Sequence, residues 1–355
     1  MRLLGLMLGR YIGALICGGA WLASATPVGL LDVAQLIATS DAIAVGKIAS
    51  VQRTGRGTVT ISDQAIGANE FKAELTVNRI IKGPPDSRRM EFTFYLPDAP
   101  VAFQSIARGD AGTFFLREIS GRYYISDPHY PRIAAVEQCA SSEPLPVLDR
   151  VTVELRCALT DPSAPETIQL GAIEALESIR TDPATDALKL AAISPSTSVR
   201  LRAIAALLGR NEISELGSVQ DLLLQPVAGP LRGAVDRLAS GIWHGVRNPK
   251  AIPLLERLLR SPDFKVRRGA AQALRNTGSS QAVAGLAEAL NDSERDVRYI
   301  AVIGLGEITR QDEWSPSIDN FSEHEAYFLS YWRNWVKSQQ KGNRGRRLEW
   351  SAPLK

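Results

Sequence analysis

The sequence predicts a multidomain protein in which a small all-β barrel precedes an all-α solenoid of about five helix pairs, ended by a C-terminal capping helix. Three observations carry that expectation. An Ala-x-x-x-Leu step recurs as Ala172/Leu176, Ala203/Leu207, Ala234/Leu238, Ala270/Leu274 and Ala301/Leu305, at offsets of 31, 31, 36 and 31 residues. A fixed period of this length marks stacked helical units that share one core. Ahead of the repeats, from Asp41 to Asp127, apolar residues alternate with a period of two, as in half-buried strands. Behind them, the stretch Glu323 to Gln339 reads as a helix dense in aromatics.

The first element is a leader over residues 1–25. Arg2 and Arg10 flank its start, an apolar run spans Tyr11 to Leu22, and Ala23-Ser24-Ala25 closes it. This order is that of a secretory signal cleaved after Ala25, which places the mature protein in the periplasm or outside the cell. A retained membrane anchor is the alternative, disfavoured by the shortness of the run. Cys17 raises the question of a lipid anchor, but Ile16 stands where such signals carry a small residue. Loss of Arg2 and Arg10 takes the 41 Lys and Arg to 39 against 38 Asp and Glu, so the formal charge falls from +3 to +1. A chain so nearly neutral has no broad field for nucleic acid.

Residues 26–140 are expected to form the barrel. Leu30 to Thr39 suggests a short helix and Ala42 to Val51 a strand. Phe71, Ala73, Leu75 and Val77 alternate with Lys72, Glu74, Thr76 and Asn78, and Met90, Phe92 and Phe94 with Glu91, Thr93 and Tyr95. Gly112 to Glu118 and Arg122 to Ser126 flank Ile119-Ser120-Gly121 as a hairpin. About five short strands suffice for a small barrel or a sandwich, and a barrel leaves no open edges. The stretches Ser40 to Ile48 and Val77 to Gly83 resemble a β-barrel module of secreted bacterial proteins with an OB-like shape, and the short helix would pack outside it.

Residues 141–312 are expected to form the solenoid. Positions four apart lie on one helix face, so alanine admits a neighbouring backbone while leucine fills the space beside it. Ile168, Val199, Pro230, Val266 and Val297 extend the stripe one turn earlier. A second apolar set, Leu188 with Ala192, Val219 with Leu223, Leu255 with Leu259 and Leu286 with Leu290, lies a fixed distance upstream and supplies a preceding helix. Pro, Gly, Ser and Asp punctuate the intervals. The five extra residues of the 36-residue interval are expected in a loop near Gly241 to Asn248. Asp296-Val297-Arg298 before Ala301 and Leu305, Lys265-Val266-Arg267 before Ala270 and Leu274, and Ser198-Val199-Arg200 before Ala203 and Leu207 resemble the HEAT family, and within it the phycobilisome-lyase-like bacterial repeats. The resemblance implies fold and a scaffold role. It implies no bilin chemistry.

Residues 313–340 form the expected capping helix, whose Tyr327, Phe328, Tyr331, Trp332 and Trp335 would cover the last unpartnered face of the stack, or else bind a ring-bearing ligand. Residues 341–355 make a basic flexible tail. The mature chain keeps two cysteines, Cys139 and Cys157, which in an oxidising compartment read as a disulfide at the junction between domains. Alternatively, Cys157 is a core position of the first repeat's leading helix.

Chemical motifs are absent from the sequence. His129, His244 and His324 fall in different segments, no nucleophile elbow, phosphate loop or paired Cys-x-x-Cys occurs, and no catalytic, metal-binding or cofactor-binding residue is assigned. Asp63 and Glu70 are carboxylates of the barrel, expected to be solvated. The candidate binding residues are Arg200, Arg202, Arg232, Arg267, Arg268 and Arg298, which recur near the start of the second helices. One expectation is a basic ladder that holds acidic peptides or other anionic polymers of the cell envelope. The other is that each arginine pairs with a carboxylate of an adjacent repeat, with Glu174, Asp236 and Asp296 at hand. The function expected is that of an exported binding or scaffold protein holding a protein or other macromolecule, with no cofactor and no stable membrane span after cleavage. The alternative is an envelope enzyme or enzyme subunit with a site in the barrel, for which a deep polar pocket with convergent acids would speak.

Overall fold

The computed structural model describes residues 24–25, 31–61, 63–99, 101–139 and 145–340. The leader, apart from Ser24 and Ala25, and the basic tail lie outside the described residues. The chain divides into two compact units, Met1–Arg180 and Thr181–Lys355.

The first unit contains strands β1 (Ser24–Ala25), β2 (Ala42–Ile61), β3 (Gln64–Lys82), β4 (Arg89–Pro97), β5 (Ala111–Ile119), β6 (Arg122–Ile125) and β7 (Arg132–Ile133), with helices α1 (Val33–Thr39), α2 (Val147–Thr160) and α3 (Glu166–Ser178). Its core is the inward set read from the alternation: Ala73 and Leu75 of β3, and Met90, Phe92 and Phe94 of β4, are all buried, with Phe71 and Val77 packed against them. Phe114 and Leu116 of β5 and Ile48 of β2 complete it. The strand pairings return on themselves: β2 pairs with β3, β3 with β4, β4 with β6, β6 with β5, and β5 again with β2. All are antiparallel except β4 with β6.

Two features of this sheet differ from the sequence expectation. Strand β2 does not end at Val51 but runs on to Ile61, opposite a β3 that begins at Gln64. The run from Gln52 to Gly57 is polar and glycine-rich, yet here the pair continues as a long hairpin arm, half-buried or exposed apart from the buried Val59 and Ala68, whose strands satisfy each other's backbone groups. Strand β2 pairs with β3 along one edge and, over Ala42 to Lys47, with β5 along the other, and its register with β3 is irregular between Val45 and Gly46. At Gly46 an added Cβ would overlap the carbonyl oxygen of Thr76. By contrast, the hairpin at Ser120-Gly121 is as expected: Ile119 faces Arg122, and both turn residues have positive φ (50° and 76°), the backbone of a tight two-residue loop.

Helix α1 starts at Asp32, whose side chain accepts from the Gln35 amide at 3.0 Å. Helices α2 and α3, the first repeat of the sequence pattern, pack with this unit. Arg79 of β3 is clamped to Glu154 of α2 (Nε to Oε1 2.9 Å, Nη2 to Oε2 2.7 Å), and Arg150 of α2 donates to the carbonyls of Ile80 and Ile81. The Ser178 hydroxyl accepts from the Val33 amide of α1 at 3.2 Å.

The second unit is a succession of helices: α4 (Asp182–Ala191) and α5 (Thr197–Leu208), the single-turn α6 (Gln220–Leu223) and α7 (Arg232–Gly245), α8 (Ile252–Leu258) and α9 (Phe264–Asn276), α10 (Val283–Ala289) and α11 (Arg295–Thr309), then α12 (Ile318–Gln340). The later helix of each pair packs on the next in order, α5 on α7, α7 on α9 and α9 on α11, with α11 meeting α12. Within each pair, residues of the upstream set, such as Leu188, Leu223, Leu255 and Leu286, are buried. The seam Ala203/Leu207, Ala270/Leu274 and Ala301/Leu305 is fully buried, as is Ala172/Leu176 in the first unit.

Helix α7 departs from the pattern. Leu238 is buried but Ala234 only partly so, and Val235 takes the inward place. Pro230 lies exposed in a 3-10 turn ahead of the helix. Nor is there a loosened loop at Gly241: α7 continues to Gly245, and its glycines are points of close approach. A Cβ on Gly241 would stand 2.5 Å from the Ala205 carbonyl oxygen of α5, and one on Gly245 would overlap that of Leu208. These glycines therefore bring two helix backbones together instead of loosening a connection.

The C-terminal helix covers the stack as expected. It bends at His324 (φ −126°, ψ 29°) and buries Phe321, Phe328, Tyr331 and Trp332. Trp314 stacks on Tyr331 with centroids 3.5 Å apart, and its carbonyl accepts from the Trp332 indole at 3.2 Å. No described helix is long and apolar enough to cross a membrane.

Candidate binding face of the helical repeats

The six candidate arginines occupy three different repeat positions, counted back from the seam alanine. Arg200, Arg267 and Arg298 stand three before it, Arg232 and Arg268 two before, and Arg202 one before. Members of the first class share one device. The Nη1 of Arg200 donates to the carbonyl of Ser194 at 2.8 Å, that of Arg267 to Ser261 at 3.0 Å and that of Arg298 to Asp292 at 2.8 Å, each six residues back. Each thus holds a carbonyl of the turn between the two helices of its own repeat, a group that no helix hydrogen bond satisfies.

The same guanidinium then reaches the next unit. Arg267 engages Asp292 with two bonds, Nε to Oδ2 at 2.7 Å and Nη2 to Oδ1 at 3.0 Å, and the carboxylate holds the guanidinium above its usual range against the opposing pull of burial. Arg298 donates through Nε to Glu325 of α12 at 2.6 Å. In the second class, Arg232 pairs with Asp263 at 2.6 Å and Asp236 at 3.3 Å, while Arg268 meets Asp296 at 3.4 Å and lies 5.0 Å from the Trp243 ring centroid. Lys265 to Asp236 and Arg275 to Glu307 add further bonds between successive repeats. Arg202 is part-buried in α5 and is engaged with neighbours. The acids Asp236 and Asp296 were legible as partners. Asp292 and Glu325 were not, because they sit in a turn and in the cap, not in the arginines' own helices.

Around Arg200 the arrangement changes. Alongside α5, where the third repeat's leading helix is reduced to the single turn of α6, a groove of about 410 Å³ opens. Ile204, Leu222 and Leu231 line it, with Ile193 at 74% exposure on its rim, and Arg200 and Glu215 supply charge. Leu231 stands where the third repeat lacks the arginine. Sequence reasoning missed this site; the missing arginine at Leu231 was the available signal.

The β unit contains a cavity of about 30 Å³, lined by residues such as Phe94, Phe103, Ile106 and Ile125, with no carboxylate among its walls. It has room for about one water. Glu70 lies elsewhere on β3, accepting from Thr54 Oγ1 at 2.7 Å and the Tyr95 hydroxyl at 2.9 Å. His129 Nδ1 lies 3.1 Å from the Ala102 carbonyl oxygen, and no metal-holding group of His, Cys, Asp and Glu occurs among the described residues. Cys139 and Cys157 both lie in the first unit, with Cα atoms 5.7 Å apart and sulfurs at bonding distance. Cys157 is only half-buried, facing Cys139 and not a repeat core.

Residues 231–306 match the model of HEAT repeats. No curated protein matches the chain. Among solved structures, the YibA protein of Escherichia coli is 21% identical with a TM-score of 0.33, over 49% of this chain and 70% of that one. Two engineered proteins are each 25% identical over 46% of this chain. The match spans 49% of the first, with a TM-score of 0.31, and 82% of the second, with a TM-score of 0.32.

Proposed function

We propose that this chain is an exported, non-enzymatic binding protein that uses its HEAT repeats to hold a protein partner in the cell envelope. The observation that carries the reading is the row of helix pairs matched as HEAT repeats over 231–306, which buries its core between neighbours and leaves helix ends and turns as an extended surface. Export is supported by the leader pattern of residues 1–25, and a disulfide between Cys139 and Cys157 by their approach. In this reading residues 26–140 are an OB-like barrel, favoured by the closed circuit of five strands with its single parallel pairing. That module is a second contact or a spacer. The repeat pattern of residues 141–312 begins in sequence with the pair α2 and α3, and residues 313–340 follow it.

At least four of the six arginines, Arg232, Arg267, Arg268 and Arg298, have carboxylate partners within the stack, so the ladder serves chiefly to lock repeat on repeat. Partner contact then falls to the positions that the lattice leaves open. Immobilised full-length protein, challenged with envelope extract beside an Arg267→Ala/Arg268→Ala variant, tests the proposal. A specific protein retained by the native chain, with the variant losing thermal stability before it loses binding at low temperature, is expected. Retention of nothing above a blank resin overturns it.

A further inference from the structure

The repeats that hold an acid reveal one that lacks it. Arg267 receives Asp292 from the next repeat's turn, and Arg298 receives Glu325 from the cap. Moving back two repeats from Asp292, by the same offsets of 36 and 31 residues, the equivalent position is Gln225, an exposed neutral side chain. Arg200 accordingly pairs with no carboxylate among the described residues. Its Nη1 and Nη2 each donate once, to Ser194 O and to Thr197 Oγ1 (3.2 Å), and a guanidinium has five donors. The same turn is where the groove opens, and the groove's apolar wall includes two of the few large aliphatic side chains exposed on this unit, Ile193 and Leu231.

We propose that this groove captures a segment of a partner polypeptide in which one acidic side chain adjoins a bulky apolar one. The acid occupies on Arg200 the place that Asp292 holds on Arg267, and the apolar side chain packs against Ile193, Ile204 and Leu231. The volume suits one or two side chains. A bare inorganic anion would leave the aliphatic wall in water, and Glu215 on the same groove disfavours a run of acids. This rests on the reading of the array as protein-binding.

The probes are fluorescein-labelled peptides with blocked ends, in which Asp or Glu stands beside Phe or Leu in a Gly-Ser frame. Controls carry Asn or Gln in place of the acid, or a free carboxyl terminus with no acidic side chain. Anisotropy titrations on the full chain are expected to show saturable binding of the acidic peptides, about tenfold weaker for the amide controls and for Arg200→Gln, and intermediate for Arg200→Lys. Ile193→Ser, at a solvent-facing position that the fold does not need, is expected to weaken binding comparably with an unchanged melting curve. Equal affinity for acid and amide peptides, no effect of Arg200→Gln, or binding only of the free-carboxyl control overturns the proposal. If no peptide binds while the chain still retains an envelope protein, the groove assignment fails and the platform reading stands. Peptide binding without any retained protein sinks the platform reading alone.

Discussion

Arg267 bridges its own turn and the next repeat with both faces of one guanidinium, and its side chain and that of Asp292 are only 13% and 7% exposed. Removing one partner of so enclosed a pair leaves the other charge uncompensated, so Arg267→Ala is expected to cost about 3 kcal/mol in urea unfolding of the repeats. Arg260→Ala, whose pair with Glu288 lies in solvent, is expected to leave the midpoint unchanged in the same experiment. A second residue-scale prediction concerns Tyr95, whose hydroxyl is raised above its ordinary value of 10.0 by burial and by the neighbouring Glu70 carboxylate. Because the neutral phenol is favoured in the fold, its contribution is present below pH about 10 and fades as pH rises beyond it. Urea midpoints measured at about pH 9 and about pH 11 should fall between the two, and fall less in Tyr95→Phe. At this scale the sequence showed which positions carry arginine. It did not show which turn residue each would find, because pairing across repeats depends on stacking geometry rather than on spacing within a helix.

Among the elements, α7 shows how a local cue was overridden. Gly241 and Gly245 suggested a loop, since glycine weakens a helix interior by roughly 0.5–1 kcal/mol relative to alanine. The contact with α5 reverses that preference by letting two backbones meet where a Cβ would collide with a carbonyl. Gly245→Ala is therefore expected to destabilise by about 1–3 kcal/mol despite alanine's better propensity, read as a lower melting temperature. The alternation in β3 and β4 was legible because each strand has one wet face. The far half of β2 was not, because its run from Gln52 to Gly57 is polar and glycine-rich and, of residues 52–61, only Val59 is buried, too little to mark an inward face. Helix α2 is tied to the first unit by Arg79, Arg150 and the Cys139–Cys157 approach. A bond closing those 18 residues is expected to contribute about 3 kcal/mol, so dithiothreitol, or Cys139→Ser, should lower the urea midpoint of a fragment spanning residues 31–180.

At the scale of the whole molecule, period and residue type revealed the helical repeats before any coordinates, while the assignment of the first pair was beyond their reach. Ala172 and Leu176 obey the repeat pattern, yet α2 and α3 pack with the sheet. A fragment of residues 31–180 is accordingly expected to unfold cooperatively, whereas residues 31–140 alone, with Arg79 deprived of Glu154, should show broad melting and bind a hydrophobic dye. Loss of difference between the two fragments would remove α2 from the first folding unit. The cap, finally, has an optical consequence. Of the chain's six tryptophans, Trp314, Trp332 and Trp335 cluster at the end of the row, with Trp314 lying flat on Tyr331. Native emission is therefore weighted toward the last helix, and a fluorescence change that precedes loss of helical dichroism on heating would time the peeling of that one end.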